Sequence, residues 1–140
     1  MTCDFGSQTF DVELEIFEFS ARDTEFRGSK TQLVDTDLLI FVAKDEPSSV
    51  EFMRKVFPNI QPVLPPETIK ICIENQIGKK TNEEISRFCI EHGFLLHRFS
   101  IVSNHKKCRT LFDEFVRQIL IRRKPELAIK NKGGCCSSCS

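Results

Sequence analysis

The residues best suited to chemistry are three cysteines in the last six positions of the chain, Cys135, Cys136 and Cys139. Two glycines precede them and serines separate them, a composition typical of a mobile chain end rather than of a packed core. A mobile tail can enter the active site of a lipid-transferring enzyme and present a thiolate there. The tail therefore predicts lipidation at Cys135 and Cys136, with Cys139 as a third candidate.

The distribution of charge favours a membrane surface as the partner of this tail. The chain carries 20 basic and 20 acidic residues, and residues 117–140 contain six of the basic ones but only one acidic residue, Glu126. A basic segment is attracted to anionic cytoplasmic lipids by about 1 kcal/mol per Lys or Arg. Two attached lipids would add about 0.8 kcal/mol per buried CH₂, which is enough for firm anchoring. Residues 1–116 are acidic overall, so we expect no nucleic-acid partner.

The cysteine count and the apolar runs indicate the compartment. Seven cysteines, an odd number, argue against a closed disulfide framework. The sequence has no run of 18 apolar residues and no apolar signal region near Met1. We therefore expect reduced thiols and a location in the cytosol and on the cytoplasmic face of intracellular membranes.

Other patterns could hold a metal or a phosphate, but each is incomplete. Cys89 with His92, and His105 with Cys108, have the spacing of two ligands on one helix, whereas structural zinc needs four. The tail cysteines also lack a distant second pair of ligands. The segment Gly78–Thr81 ends like a phosphate loop but lacks the glycine that such a loop needs five residues upstream. We expect no metal and no phosphate loop, and no local catalytic triad is evident.

The order of predicted elements indicates an α/β fold. The helix after Leu38–Ala43 is predicted to stop at Pro58, and the next one to begin at Thr81 as N-cap and to end at Gly93. The continuous apolar run Leu38–Ala43 favours a strand buried on both faces, hence a parallel sheet covered by helices. We expect three layers, with a mostly parallel sheet between helices. Strands are predicted at Cys3–Phe5, Val12–Phe17, Leu38–Ala43, Ile69–Ile73 and Phe94–Phe99, and helices at Ser48–Phe57, Thr81–His92 and Asn104–Arg122.

Four stretches and the tail together resemble the small GTPases of the Ras superfamily, and specifically the Rab branch. The adjacent Cys135 and Cys136 resemble the Rab signal for double geranylgeranylation. The other matches are Val12–Asp23 with the strand leading into W-D-T-A-G-Q-E, Asp37–Ser48 with the next strand and its D-x-x-x-x-x-S-F segment, Ile71–Gly78 with the strand and N-K-x-D, and Phe99–Phe112 with E-T-S-A-K and the last helix.

The resemblance implies an incomplete domain with a degenerate nucleotide site. Residues 1–123 would form a small-GTPase-like fold without its first strand, phosphate loop and first helix, and residues 124–140 a flexible basic, cysteine-rich tail. Asn75 would be a remnant of base recognition, with Gly78 at the position of the aspartate that binds guanine. Arg22 stands where the catalytic glutamine would orient water. The resemblance thus implies a protein that is not an active GTPase.

We carry three hypotheses for function. The first is a membrane-tethered Rab-like pseudo-GTPase of vesicle traffic, with GTP binding and hydrolysis weak or lost and no cofactor. The resemblance implies a prenyltransferase, an escort protein and a dissociation-inhibitor-type chaperone as its partners. The second is a fragment of a working Rab-like GTPase, which would bind GTP or GDP and magnesium. The third is an unrelated α/β adaptor with a metal-binding or palmitoylated tail.

Overall fold

The computed structural model describes residues 1–18, 30–78 and 80–128. The chain divides into two compact units, one made of Met1–Glu18 and Lys106–Ser140 and the other of Phe19–His105. The elements in chain order are β1 (Thr2–Phe5), β2 (Gln8–Asp11), α1 (Lys30–Leu33), β3 (Leu38–Lys44), α2 (Pro47–Ile60), β4 (Ile69–Asn75), α3 (Glu83–His92), β5 (Leu95–Phe99) and α4 (His105–Arg123).

A three-stranded parallel sheet is the centre of the unit Phe19–His105. Its strand order is β3-β4-β5, so the strands lie side by side in chain order. Each crossover contains a helix, α2 between the first two strands and α3 between the last two, as parallel pairing requires. The α/β class and the parallel sheet flanked by helices, both expected from the sequence, are confirmed.

Four phenylalanines form the centre of the core that α2 and α3 share with the sheet. Phe41 on β3 stacks on Phe94 with ring centroids 5.4 Å apart. Phe57 on α2 meets Phe88 on α3 edge to face at 5.9 Å. All four side chains are buried. Such aromatic pairs stabilise a core by about 0.5–1.5 kcal/mol beyond the area they bury.

The expectation that β3 is buried on both faces is wrong. Phe41 and Ala43 face the helices and are buried, whereas Val42 between them is 63% exposed. Successive side chains of a strand point to opposite faces, so the burial follows a period of two. The continuous apolar run Leu38–Ala43 therefore forms a strand of which one face is partly exposed to solvent.

The helix boundaries differ from the prediction at two points. Helix α2 continues through Pro58 to Ile60, because Phe57 and Ile60 are both buried while the proline is exposed to solvent. The N-cap of α3 is Asn82 rather than Thr81; its side chain accepts a hydrogen bond from the backbone N–H of Glu84. The predicted end of that helix at Gly93 is confirmed, and its φ of 71° is the left-handed conformation that glycine adopts most easily.

The other unit contains a β-hairpin, and the strand predicted at Val12–Phe17 is wrong. Strand β1 pairs with β2 in antiparallel register around Gly6, whose φ is 60°. The pairing is extended only by the two backbone bonds between Met1 and Val12. Residues 13–18 follow without belonging to a strand. Their alternation is typical of a strand, but a strand also needs a neighbour to pair with.

Helix α4 and the hairpin share a small core within this unit. Cys3 and Phe5 of β1 pack with Val116 and Leu127, and all four are buried. Arg117 holds the hairpin from the helix side: its guanidinium lies 5.2 Å from the Phe5 ring centroid and donates to the Asp4 carbonyl at 2.7 Å. The predicted long amphipathic helix near the carboxyl end of the described chain is thus confirmed.

Within the described ranges, no helix combines the length and the apolar character needed to cross a membrane.

Candidate functional site

The carboxyl ends of β3, β4 and β5 lie along one edge of the sheet because the three strands are parallel. In open α/β sheets this edge is where ligands bind. The loops that leave it are residues 45–46, 76–82 and 100–104. We call these three loops and the strand ends that support them the carboxyl rim. Asn75, the nucleotide-binding residue expected from the sequence, lies at the end of β4 within this rim.

Asn75 connects two strand ends. Its side-chain Oδ1 accepts a hydrogen bond from the backbone N–H of Ile101 at 2.9 Å. The next residue, Gln76, donates its backbone N–H to the carbonyl of Phe99 at 3.1 Å. The amide oxygen of Asn75 thus holds the loop after β5 against β4. The Asn75 side chain therefore has a structural role: it determines where the loop after β5 lies, and so the shape of the rim that a ligand would meet.

A buried ion pair lies directly behind the rim. Glu74 is completely buried, and the register of β4 and β5 places Arg98 opposite it on the face that carries α3. The Arg98 Nε donates to one carboxylate oxygen of Glu74, and its other arm donates to Ser86 on α3. A buried carboxylate is tolerated only when it is paired and hydrogen-bonded, and Arg98 supplies that pairing.

Asn82 completes the binding of the second Glu74 oxygen. Its backbone N–H donates to the Glu74 Oε1 at 2.8 Å. Its side chain caps α3 through Glu84 at 3.0 Å and donates to the Glu46 carbonyl at 3.4 Å. One residue therefore ties the start of α3 to β4 and to the loop after β3. Both oxygens of Glu74 are engaged by these partners, so the carboxylate is arranged for structure and not as a free general base.

The remaining part of the rim is open. Gly78 is exposed, and a Cβ placed on it would meet no atom within 4 Å. Lys80 and Thr81 beside it are also exposed. The Ser100 hydroxyl accepts from the Ser103 backbone N–H at 3.2 Å and closes a tight turn after β5. Gly78 therefore has open space around it, and it provides no carboxylate to a ligand.

Two cysteines touch behind the same strand. Cys72 on β4 and Cys89 on α3 are both buried in the core of their unit and share a thiol hydrogen bond. That hydrogen bond, followed by burial, raises the pKa of the Cys72 thiol far above its ordinary value. Cys72 therefore stays protonated and is a packing residue, since the thiolate is the nucleophilic form. In the other unit, burial likewise raises the pKa of Cys3, against the opposing charge of Arg117.

The Cys–His pairs noted in the sequence are not brought into a common site. Cys89 points into the core, whereas His92 packs on Phe88 with ring centroids 4.6 Å apart. His105 is exposed and Cys108 is half-buried. Across residues 1–18, 30–78 and 80–128, no three His, Cys, Asp or Glu side chains are grouped so that they could hold a metal ion. Cys135, Cys136, Cys139 and Arg22 lie outside the described residues.

The Glu74–Arg98 pair and the role of Asn82 were not found from the sequence. A signal for the pair was present, because Glu74 is the first acidic residue of an otherwise apolar run and Arg98 is a charge inside a short strand. The register of β4 and β5, which places the two residues opposite each other, could not be predicted from the sequence.

Comparison with protein-family models, with curated proteins and with solved structures finds no match to this chain.

Proposed function

We propose that the chain is a membrane-tethered, Rab-like pseudo-GTPase module of vesicle traffic, with GTP binding and hydrolysis weak or lost. The observation that carries the loss of nucleotide binding is the state of the carboxyl rim. Asn75 uses its side-chain oxygen to hold Ile101, and Gly78 offers no carboxylate for a guanine edge. The topology supports the resemblance at a coarser level, since three parallel strands alternate with helices and a long helix follows the last strand.

The proposal divides the work between the folded units and the tail. The folded part would bind protein partners. Residues 129–140 would attach the chain to a membrane through lipids on Cys135 and Cys136, and the basic residues of 117–132 would add electrostatic attraction to anionic lipids. The escort protein, prenyltransferase and dissociation-inhibitor-type chaperone implied by the resemblance would handle the lipidated form. No step of nucleotide chemistry is required of the protein in this role.

Titration of the full chain with a fluorescent GTP analogue tests the first half of the proposal. We expect no saturation below about 100 μM and no effect of magnesium, because the sequence has no phosphate loop to cradle the phosphates. An Asn75→Ala variant should behave like the parent in this titration. Magnesium-dependent binding at micromolar or lower concentration would overturn the pseudo-GTPase proposal and favour a working GTPase.

Membrane fractionation tests the second half. The parent, Cys135→Ser/Cys136→Ser and the matched control Cys108→Ser are expressed in eukaryotic cells, and their membrane shares are compared. We expect the parent and Cys108→Ser to sediment with membranes and the double variant to stay in the supernatant. Hydroxylamine separates the two lipid chemistries, since it cleaves the thioester of a palmitoyl group but not a prenyl thioether. Equal fractionation of all three proteins would refute the tether, and hydroxylamine release would favour the palmitoylated adaptor.

A further inference from the structure

Residues 13–18 follow β2, and no described strand of the chain pairs with them. The Val12 backbone N–H donates to the Met1 carbonyl at 2.7 Å, and the Met1 amino group donates back to Val12 at 3.2 Å. These two bonds are the last of the hairpin. In the part of the chain that the structure describes, the backbone of residues 13–18 makes no hydrogen bond. We refer to residues 12–17 as the acidic strand segment.

Beyond Val12, the acidic strand segment exposes apolar side chains beside backbone groups that make no hydrogen bond within the described chain. Ile16 is 73% exposed, Phe17 48% and Leu14 36%. A row of unpaired N–H and C=O groups with alternating apolar residues is a template for pairing with another strand. As a strand, the segment would present Val12, Leu14 and Ile16 on one face and Glu13 and Glu15 on the other.

Charge disfavours a second copy of this chain as the partner of the segment. Three antiparallel registers pair at least two of the residues Val12, Leu14 and Ile16 with their counterparts, and these place Glu13 opposite itself, Glu13 opposite Glu15 or Glu15 opposite itself. In parallel pairing in register, each glutamate faces its own copy. Like charges directly across a strand pair are destabilising, and lysine or arginine at those positions would be stabilising. The segment is therefore suited to an edge strand that carries basic residues on one face.

We propose that the acidic strand segment adds as an edge strand to the β-sheet of a protein partner. The accepting strand would present Lys or Arg toward Glu13 and Glu15 and aliphatic residues toward Val12, Leu14 and Ile16. Backbone hydrogen bonds would provide affinity and the two faces would provide specificity, as in other cases of β-strand addition. The segment shares no residue with the tail or with the carboxyl rim, so the proposal goes beyond the membrane-tethered module and does not depend on it.

The test uses two small sheet proteins of the same scaffold as probes. One has an exposed edge strand reading Lys-Val-Lys-Val-Lys-Val, and the other has Glu in place of each Lys. Calorimetric titration into the full 140-residue chain measures affinity, and hydrogen–deuterium exchange locates the contact. We expect the basic probe to bind at least about tenfold more tightly than the acidic one, from two cross-strand charge pairs. The amides of residues 13–17 should become protected.

Two variants and a matched control make the test specific. Ile16→Pro/Phe17→Pro removes one backbone donor from each edge of the segment, at two exposed positions that make no backbone hydrogen bond within the described chain, so the fold should persist while binding is lost. Glu13→Lys/Glu15→Lys should reverse the preference between the probes. Glu51→Lys/Glu126→Lys changes the net charge by the same amount at two other exposed sites and should leave the preference unchanged.

Three results would overturn the proposal. The first is the absence of binding by either probe at millimolar concentration. The second is binding that Ile16→Pro/Phe17→Pro does not weaken, because strand addition at either edge needs a backbone donor at one of these two positions. The third is binding of the parent, but not of Ile16→Ser, to neutral phosphatidylcholine vesicles with no effect of the probes, which would make the segment a membrane-inserting element instead.

Discussion

Replacing Arg98 by methionine tests whether the buried ion pair supports the carboxyl rim. The substitution keeps the apolar stem but leaves the Glu74 carboxylate, which is completely buried, with the Asn82 backbone N–H as its remaining partner. Breaking a buried pair from one side costs about 3–5 kcal/mol because an uncompensated charge remains. The Arg98 side chain is 30% exposed, so water can reach the gap it leaves and the lower end of the range applies. We expect a loss of about 3 kcal/mol.

The loss is measured by urea unfolding followed by circular dichroism at neutral pH. A stability of about 5–15 kcal/mol makes a change of this size readily visible as a shift of the midpoint. Arg87→Met is the matched control. Arg87 forms an exposed pair with Glu84, with side chains 67% and 53% exposed, and such pairs contribute about 0–1 kcal/mol.

The partner substitution separates pairing from packing. Glu74→Gln removes the carboxylate. Arg98→Met added to Glu74→Gln should therefore lower the free energy of unfolding much less than Arg98→Met does in the parent. The difference between the two costs is the coupling of the pair. If Arg98→Met is no more destabilising than Arg87→Met, or if the cost is the same in both backgrounds, the buried pair does not stabilise the rim and the reasoning is refuted.

Two further outcomes follow from the core and from the end of α3. The hydrogen bond between Cys72 and Cys89 raises the pKa of Cys72 and lowers that of Cys89. Well above pH 9.0, the ordinary value of a thiol, the unfolded state has lost both thiol protons whereas the folded state keeps the one on Cys72. Stability should therefore fall with rising pH by up to about 1.4 kcal/mol per pH unit more in the parent than in Cys72→Ala/Cys89→Ala, as measured by urea midpoints, and parallel curves would contradict this. Gly93→Ala should destabilise the protein by about 1–2 kcal/mol, because Gly93 has a φ of 71° and alanine is strained in that conformation. The control Gly78→Ala, at an exposed position without nearby atoms, should change the thermal unfolding midpoint little. Equal thermal midpoints for the two variants would argue against left-handed strain at Gly93.

The parallel sheet and its helices could be predicted from the sequence because each element has a recognisable local pattern. Strand β4 and helices α2 and α3 carry apolar residues at the spacing of their own period, and β3 is a continuous apolar run of strand length, so the type of each of these elements could be predicted locally. Gly93 was predictable for the same reason, since a glycine that follows an amphipathic run has one common use.

The errors arose where a local pattern was compatible with more than one partner. Val12–Phe17 has the alternation of a strand, but alternation does not provide a neighbour, and the hairpin closes on Gln8–Asp11 instead. Thr81 and Asn82 are both good capping residues; the tertiary bond from the Asn82 backbone to Glu74 coincides with the choice of the second. Pro58 did not end its helix because buried neighbours held the last turn.

The site was harder to predict than the fold because its decisive contacts join residues distant in sequence. Glu74 and Arg98 are 24 residues apart, and Asn75 and Ile101 are 26 apart. Each pair is fixed by strand register, which is a property of the assembled sheet. The chain's own side chains thus connect the strands at their carboxyl ends, since Asn75 holds the loop after β5 against β4 and Arg98 joins β5 to Glu74 on β4 and to Ser86 on α3.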